Sequence, residues 1–169
     1  MRRFSAIVIA IILVASAVNP VSAKTLGEEQ AGLISTNCAS IKLQLKRIQK
    51  DDARNRVHLG AQFESISTNL MMNLNLRLVK NNMASAEIAE QQTTFMSERD
   101  RFKNDYIGYA QELENLINID CKNEPQKFYD QLKKTRRKRE DVDASIKRLV
   151  EVLGHHRQSV KNLLGGSEE

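Results

Sequence analysis

Apolar side chains in this chain return at alternating steps of four and three residues, and three stretches keep that rhythm. The middle one runs from Ala86 to Asp120, with Ile88, Gln92, Phe95, Arg99, Phe102, Tyr106, Tyr109, Leu113 and Leu116 on one line. Steps of four and three keep returning to one helix face, the seam along which coiled helices pack. This stretch holds Phe95, Phe102, Tyr106 and Tyr109, half of the aromatic side chains in the sequence, so the thickest part of the core should form around it.

The first stretch carries Ile34, Cys38, Ile41, Leu45 and Ile48, then Asp52 and Asn55 as polar members. After a one-residue shift come Leu59, Phe63, Ile66, Leu70 and Leu74. Gly60 costs ~1 kcal/mol relative to alanine, too little to break the pattern. A helix over 33–79 is predicted, about 47 residues and ~70 Å long. The third stretch has the cleanest seam: Phe128, Leu132, Thr135, Arg139, Val142, Ile146, Leu149, Leu153, His156, Val160 and Leu163.

Two short interruptions separate these stretches. Lys80-Asn81-Asn82-Met83 breaks the first pattern, and asparagine tolerates the left-handed backbone that ends helices. Lys122-Asn123-Glu124-Pro125 breaks the second; Asn123 or Glu124 can cap, and proline suits the first helical position. The predicted helices therefore span 33–79, 86–120 and 125–163, with Gly165-Gly166 as the stop. The fold class that follows is all-α, an up-down-up three-helix antiparallel coiled-coil bundle with long helices. It occupies residues 33–164, after a flexible leader at 24–32 and before an acidic tail at 165–169.

The N-terminus changes the picture of where this bundle works. Met1-Arg2-Arg3 is a short positive region and Ala6 to Val18 an apolar run. Val21-Ser22-Ala23 supplies small residues before a cleavage point. This matches a secretory signal peptide over 1–23, cleaved after Ala23. The apolar run of about 13 residues is short for a membrane span of ~20; its retention as an anchor is the alternative. Loss of Arg2 and Arg3 takes the formal charge of +5 to +3, a mildly basic exported protein. The expected location is extracytoplasmic: periplasmic, secreted or at the cell surface.

Export gives the two cysteines a meaning. Partners in a hairpin that turns near residue 81 have numbers summing to about 160, which sets Cys38 level with Cys121. In an oxidising compartment two level cysteines should form a disulfide, and no Cys-x-x-Cys or neighbouring histidine points to redox catalysis. A third helix returning from Cys121 runs parallel to the first, with numbers about 87 higher at equal height. That sets Arg139 level with Asp52, and both near Tyr106 and Tyr109. The expectation is a polar core layer: Arg139 paired with Asp52, or with Asp51, and a phenol from Tyr106 or Tyr109 completing it. A guanidinium in an apolar seam is costly unless matched in this way, and such layers fix helix register.

Charge adds a candidate binding surface. Lys133, Lys134, Arg136, Arg137, Lys138 and Arg139 surround Thr135, so the third helix is girdled by cations. The five residues Lys133, Lys134, Arg136, Arg137 and Lys138 are the candidates for contact with an anionic partner: an envelope polymer, a membrane surface or nucleic acid. The bland alternative is a solvated face partly neutralised by Glu140, Asp141 and Asp143. No aromatic lies within the run, which weakens a case for base stacking.

His155 and His156 are adjacent, so on a helix they diverge by about 100° and cannot grip one ion as an i, i+4 pair would. They fall level with Met71 and Met72, with Met83 and Met96 near, a soft set that would suit copper(I). Methionines at helical spacing are ordinarily core fillers, and no metal or cofactor is expected. The sequence has no Gly-rich phosphate loop, nucleophile elbow or His-Glu-x-x-His. A non-enzymatic interaction or structural protein of the cell envelope is expected. The alternatives are a periplasmic holdase-type chaperone and an extracytoplasmic nucleic-acid-binding protein.

Overall fold

A computed structural model describes residues 26–165. The predicted signal peptide at 1–23 lies outside the described residues, as does the tail after Gly165. The described chain is all-helical, with no strand among the described residues. Its elements are α1 (Glu28–Thr36), α2 (Cys38–Ser65), a π-helical segment (Ile66–Met72), α3 (Asn73–Lys80), α4 (Ala86–Asn118) and α5 (Pro125–Gly165).

The stretch expected as one helix is thus segmented. Residues 28–32, expected as part of a flexible leader, are helical from Glu28, and Leu33, where the predicted helix began, is exposed. Asn37, whose amide reaches back to the Leu33 carbonyl, separates α1 from α2. The π segment has a local cause. The hydroxyl of Thr68 bonds to the Glu64 carbonyl, and the amide of Asn73 to the Asn69 carbonyl, one turn back. Short polar side chains that compete for carbonyls loosen the ordinary ladder. A π turn holds an extra residue, so the buried line slips by one. Phe63 is followed on the core face by Ser67 and Met71, while Leu70, assigned to the seam by simple spacing, is 62% exposed.

Lys80 ends α3, and Asn82 takes φ 57°, the left-handed turn its side chain tolerates. The Ser85 hydroxyl then accepts the Ile88 amide and caps α4. α4 is the element that the others share. It packs along α5 and against α2 and the π segment, whereas α1 lies against α5 and α2. Residue numbers rise on the first arm as they fall on α4. Cys38 meets Cys121, Asp52 meets Tyr109, Glu64 meets Arg99 and Asn75 meets Gln92. The same holds between α4 and α5, where Glu112 meets Thr135, Glu98 meets Arg148 and Glu87 meets Ser159. The core follows the α4 line, with Ile88, Phe95, Leu113 and Leu116 nearly or fully enclosed. Phe63 sits edge-on to both Phe95 and Phe102, at 6.2 and 5.5 Å between centroids.

Candidate functional site

One end of the molecule is fastened covalently. Cys38 opens α2 and Cys121 follows α4, and they form a disulfide with 5.5 Å between Cα atoms. Around it the Ser35 hydroxyl donates to the Lys122 carbonyl, and the Leu26 amide donates to Gln126 Oε1 at 3.1 Å. In the connection from α4 to α5, the Asp120 carboxylate accepts from the Asn123 side chain at 2.7 Å and from the amides of Asn123 and Lys122. These hydrogen bonds, the Asn123 side chain's foremost, hold its pKa below the usual aspartate value. The hinge from which α5 departs is therefore locked by a covalent bond and a turn.

The basic segment lies two to three turns into α5. Its axis is Thr135, which is buried and donates to the Glu112 carbonyl of α4 at 3.0 Å. With that face fixed, the cations project around the remainder of the helix. Lys133 pairs with Asp130 at 2.7 Å and lies 4.7 Å from the centre of the Tyr129 ring, and Lys138 pairs with Asp141 at 3.2 Å. Lys134, Arg136 and Arg137 are exposed, and among the described residues no carboxylate lies within 4.0 Å of any of them. Of Glu140, Asp141 and Asp143, only Asp141 forms an ion pair with the segment among the described residues.

A second basic group, which the sequence pattern did not single out, lies at the same height as the first. Ser35 meets Lys122 and Asp52 meets Arg139, so α2 and α5 run in one direction at a fixed offset. At that offset Lys46, Arg47 and Lys50 of α2 come level with Lys133, Lys134 and Arg137. All three α2 cations are exposed. Their signal was present as a cluster in the sequence but gained meaning only once the two helices were set in register.

Above this band lies the polar layer. Asp52 accepts the Tyr109 hydroxyl at 2.6 Å on one oxygen and the Arg139 guanidinium at 3.2 Å on the other. Burial, followed by the hydrogen bond to Asp52, pushes the Tyr109 phenol far above its ordinary pKa. Tyr106 makes no bond to the carboxylate. It stacks edge-on against Tyr109 at 6.0 Å, with the Arg56 guanidinium 5.3 Å from its ring centre. Asp51 turns outward to Arg54 at 3.9 Å. The expectation of a guanidinium buried in the seam needs correction: the Arg139 side chain is 51% exposed, against 15% for Asp52. The reason is spacing. α2 and α5 both pack on α4 rather than closely on each other, leaving a recess of about 150 Å³ lined by Asp52, Arg56, Tyr106 and Arg139.

Other polar seam positions find partners too. Arg99 pairs with Glu64 at 2.6 Å and Gln92 bonds Asn75. Between α4 and α5, Arg148 bonds Glu98 at 2.7 Å and the buried Ser145 hydroxyl at 2.8 Å, while Ser145 donates to Asp105. Ser159 donates to Glu87 at 2.6 Å. Ser145 and Ser159 were missed as core residues because spacing alone favours their apolar neighbours. Small hydroxyls opposite carboxylates were the available signal.

His155 lies on the surface near Glu151, and His156 is buried with Nδ1 unpartnered. The two rings diverge. Among the described residues no three histidine, cysteine or carboxylate side chains gather as a metal site, and no helix is long and apolar enough to cross a membrane. Against protein-family profiles, characterised proteins and solved structures, the chain shows no match.

Proposed function

We propose that this is a non-enzymatic, exported interaction protein of the cell envelope, built as an up-down-up three-helix antiparallel coiled coil over 33–164. Its basic band engages an anionic partner. The observation that carries the reading is the set of exposed cations without carboxylate partners among the described residues, Lys134, Arg136 and Arg137, at the disulfide-fastened end, with Lys46, Arg47 and Lys50 at the same height. Six cations on two rigid helices present a fixed field to a polyanion, and attraction of this kind weakens steeply with salt. The disulfide supports an oxidising, extracytoplasmic setting. Polymer or membrane phosphates and carboxylates are favoured over nucleic-acid bases. Tyr129, on the same helix just before the band, has the Lys133 ammonium 4.7 Å from its ring centre, where it competes with a base for that face.

The test is retention of the oxidised protein on anionic vesicles and on a heparin-like resin. Replacing Lys133, Lys134, Arg136, Arg137 and Lys138 by glutamine should abolish retention at moderate salt, and replacing Lys46, Arg47 and Lys50 should weaken it. Unchanged elution of the five-residue variant would refute the assignment. Suppression of client aggregation with no salt dependence would favour a holdase instead.

A further inference from the structure

The opposite end of the molecule carries a different kind of site. Between the π segment with α3 on one side and α5 on the other lies a recess of about 560 Å³, within the size range of small-molecule sites. Leu70, Met71, Leu74, Leu153 and Val160 give it an apolar lining. Arg77, Arg157 and Lys161 stand in its wall, and among the described residues none of the three has a carboxylate within 4.0 Å. Among the described residues no acidic side chain lines the recess. Glu87, Glu90 and Glu151 line a separate hollow between α4 and α5.

A second observation singles this recess out. His156 is part of its lining and is only 6% exposed, yet its Nδ1 has no hydrogen-bond partner among the described residues. A buried ring nitrogen left unmatched costs free energy, and because Nδ1 is itself closed off from solvent, a bound polar group recovers it only when the ring turns toward the recess. The same recess is bordered by the π segment, an irregularity found frequently at functional sites. That segment turns Met71 inward and leaves Leu70 at the edge, so the local backbone irregularity itself shapes the lining.

We propose that this recess binds a single-chain anionic amphiphile, an acyl chain beneath a carboxylate or phosphate head. The chain lies against Leu70, Met71, Leu74, Leu153 and Val160. The head is held by Arg77, Arg157 and Lys161, beside the His156 ring. Charge complementarity selects the occupant. Three cations without acidic partners favour an anion, and the apolar lining below them favours a chain rather than a free ion. The site is separate from the basic band, which lies at the disulfide end of the same helices.

The experiment uses the oxidised mature protein with dodecanoate and dodecyl phosphate below their micellar concentrations, and dodecanol as the uncharged match. Calorimetry measures affinity, and the imidazole resonances of the three histidines report position. Saturable binding of at least one anion is expected, with the His156 signals shifted and those of His58 and His155 unmoved. Arg77→Glu with Lys161→Glu, both at the rim, should weaken anion binding by about tenfold or more, roughly 1.4 kcal/mol or more, and leave dodecanol unaffected. Val160→Trp should abolish binding of all three by filling the recess. The five-glutamine variant of the basic segment should bind as the parent does, which separates this site from the band. The better of the two heads identifies which anion the cations suit. Absence of saturable binding by both anions overturns the proposal. So does binding that the charge reversal leaves unchanged, or that is lost in the five-glutamine variant while folded helix content is intact.

Discussion

The Asp52 layer separates two contributions that are easily confused, a buried hydrogen bond and a half-exposed ion pair. Tyr109 is 3% exposed, and its hydroxyl lies 2.6 Å from Asp52. Tyr109→Phe keeps the ring's packing and removes that donor from a carboxylate that is itself largely covered. A hydrogen bond to a charged group contributes about 1.5–3 kcal/mol, so Tyr109→Phe should destabilise the oxidised protein by about 2 kcal/mol. Arg139 reaches the other oxygen at 3.2 Å but is 51% exposed. Solvent screens it, and exposed pairs contribute about 0–1 kcal/mol, so Arg139→Ala should cost about 1 kcal/mol or less. Had the guanidinium been enclosed in the seam, removing it would have left an unmatched buried charge and cost about 3 kcal/mol or more. The order of the two losses is thus a measurement of where Arg139 lies. Urea unfolding at neutral pH, followed by circular dichroism with the slope held common, reads both values. The Tyr109→Phe loss should persist in high salt, whereas the Arg139→Ala loss should shrink further. If Arg139→Ala costs more than Tyr109→Phe, α5 sits closer to α2 than described and the reasoning fails. The phenol supplies a second readout. Its raised pKa means that the unfolded chain releases this proton first. The stability it contributes is complete below the ordinary tyrosine value of 10.0 and is lost as pH rises above it. Tyr109→Phe should flatten that alkaline decline.

The disulfide closes a sequence separation of 83. Reduction, or Cys38→Ser with Cys121→Ser, should therefore lower stability by about 4 kcal/mol by chain-entropy arguments. Alkylation followed by mass spectrometry should find no free thiol before reduction; two labelled thiols in protein never exposed to reductant would refute the pairing. Burial pushes the His156 pKa below the usual value of 6.5. The unfolded chain then binds a proton that the folded chain resists, so the stability due to this group is complete above that value and is lost as pH falls below it. His156→Phe should remove that acid-side slope in unfolding experiments from about one pH unit above to about one and a half below the ordinary histidine pKa, and an unchanged slope would place the titration elsewhere.

The helical character of the chain, its two breaks and the level placement of Cys38 and Cys121 were legible because each depends on local spacing. A period near 3.5 identifies helices, Asn82 and Pro125 mark where they cannot continue, and a known turn position fixes antiparallel height by counting. The position of Asp52 opposite Tyr109 and Arg139 followed from the same counting, since backbone rise per residue is fixed along a helix. What counting could not supply was distance across the helices. Arg139 occupies a seam position by period yet stands at a rim, because small hydroxyl residues let α5 settle onto α4 and leave it apart from α2. The π segment was equally hidden: one extra residue per turn rotates Met71 inward and Leu70 outward, a choice made by Thr68 and Asn73 competing for backbone carbonyls. The cations of α2 and α5 came to one height, and the lining around His156 became one recess, only when the first and third stretches were set in register. Periodicity determines which way a side chain faces on its own helix; close packing between helices decides what it meets.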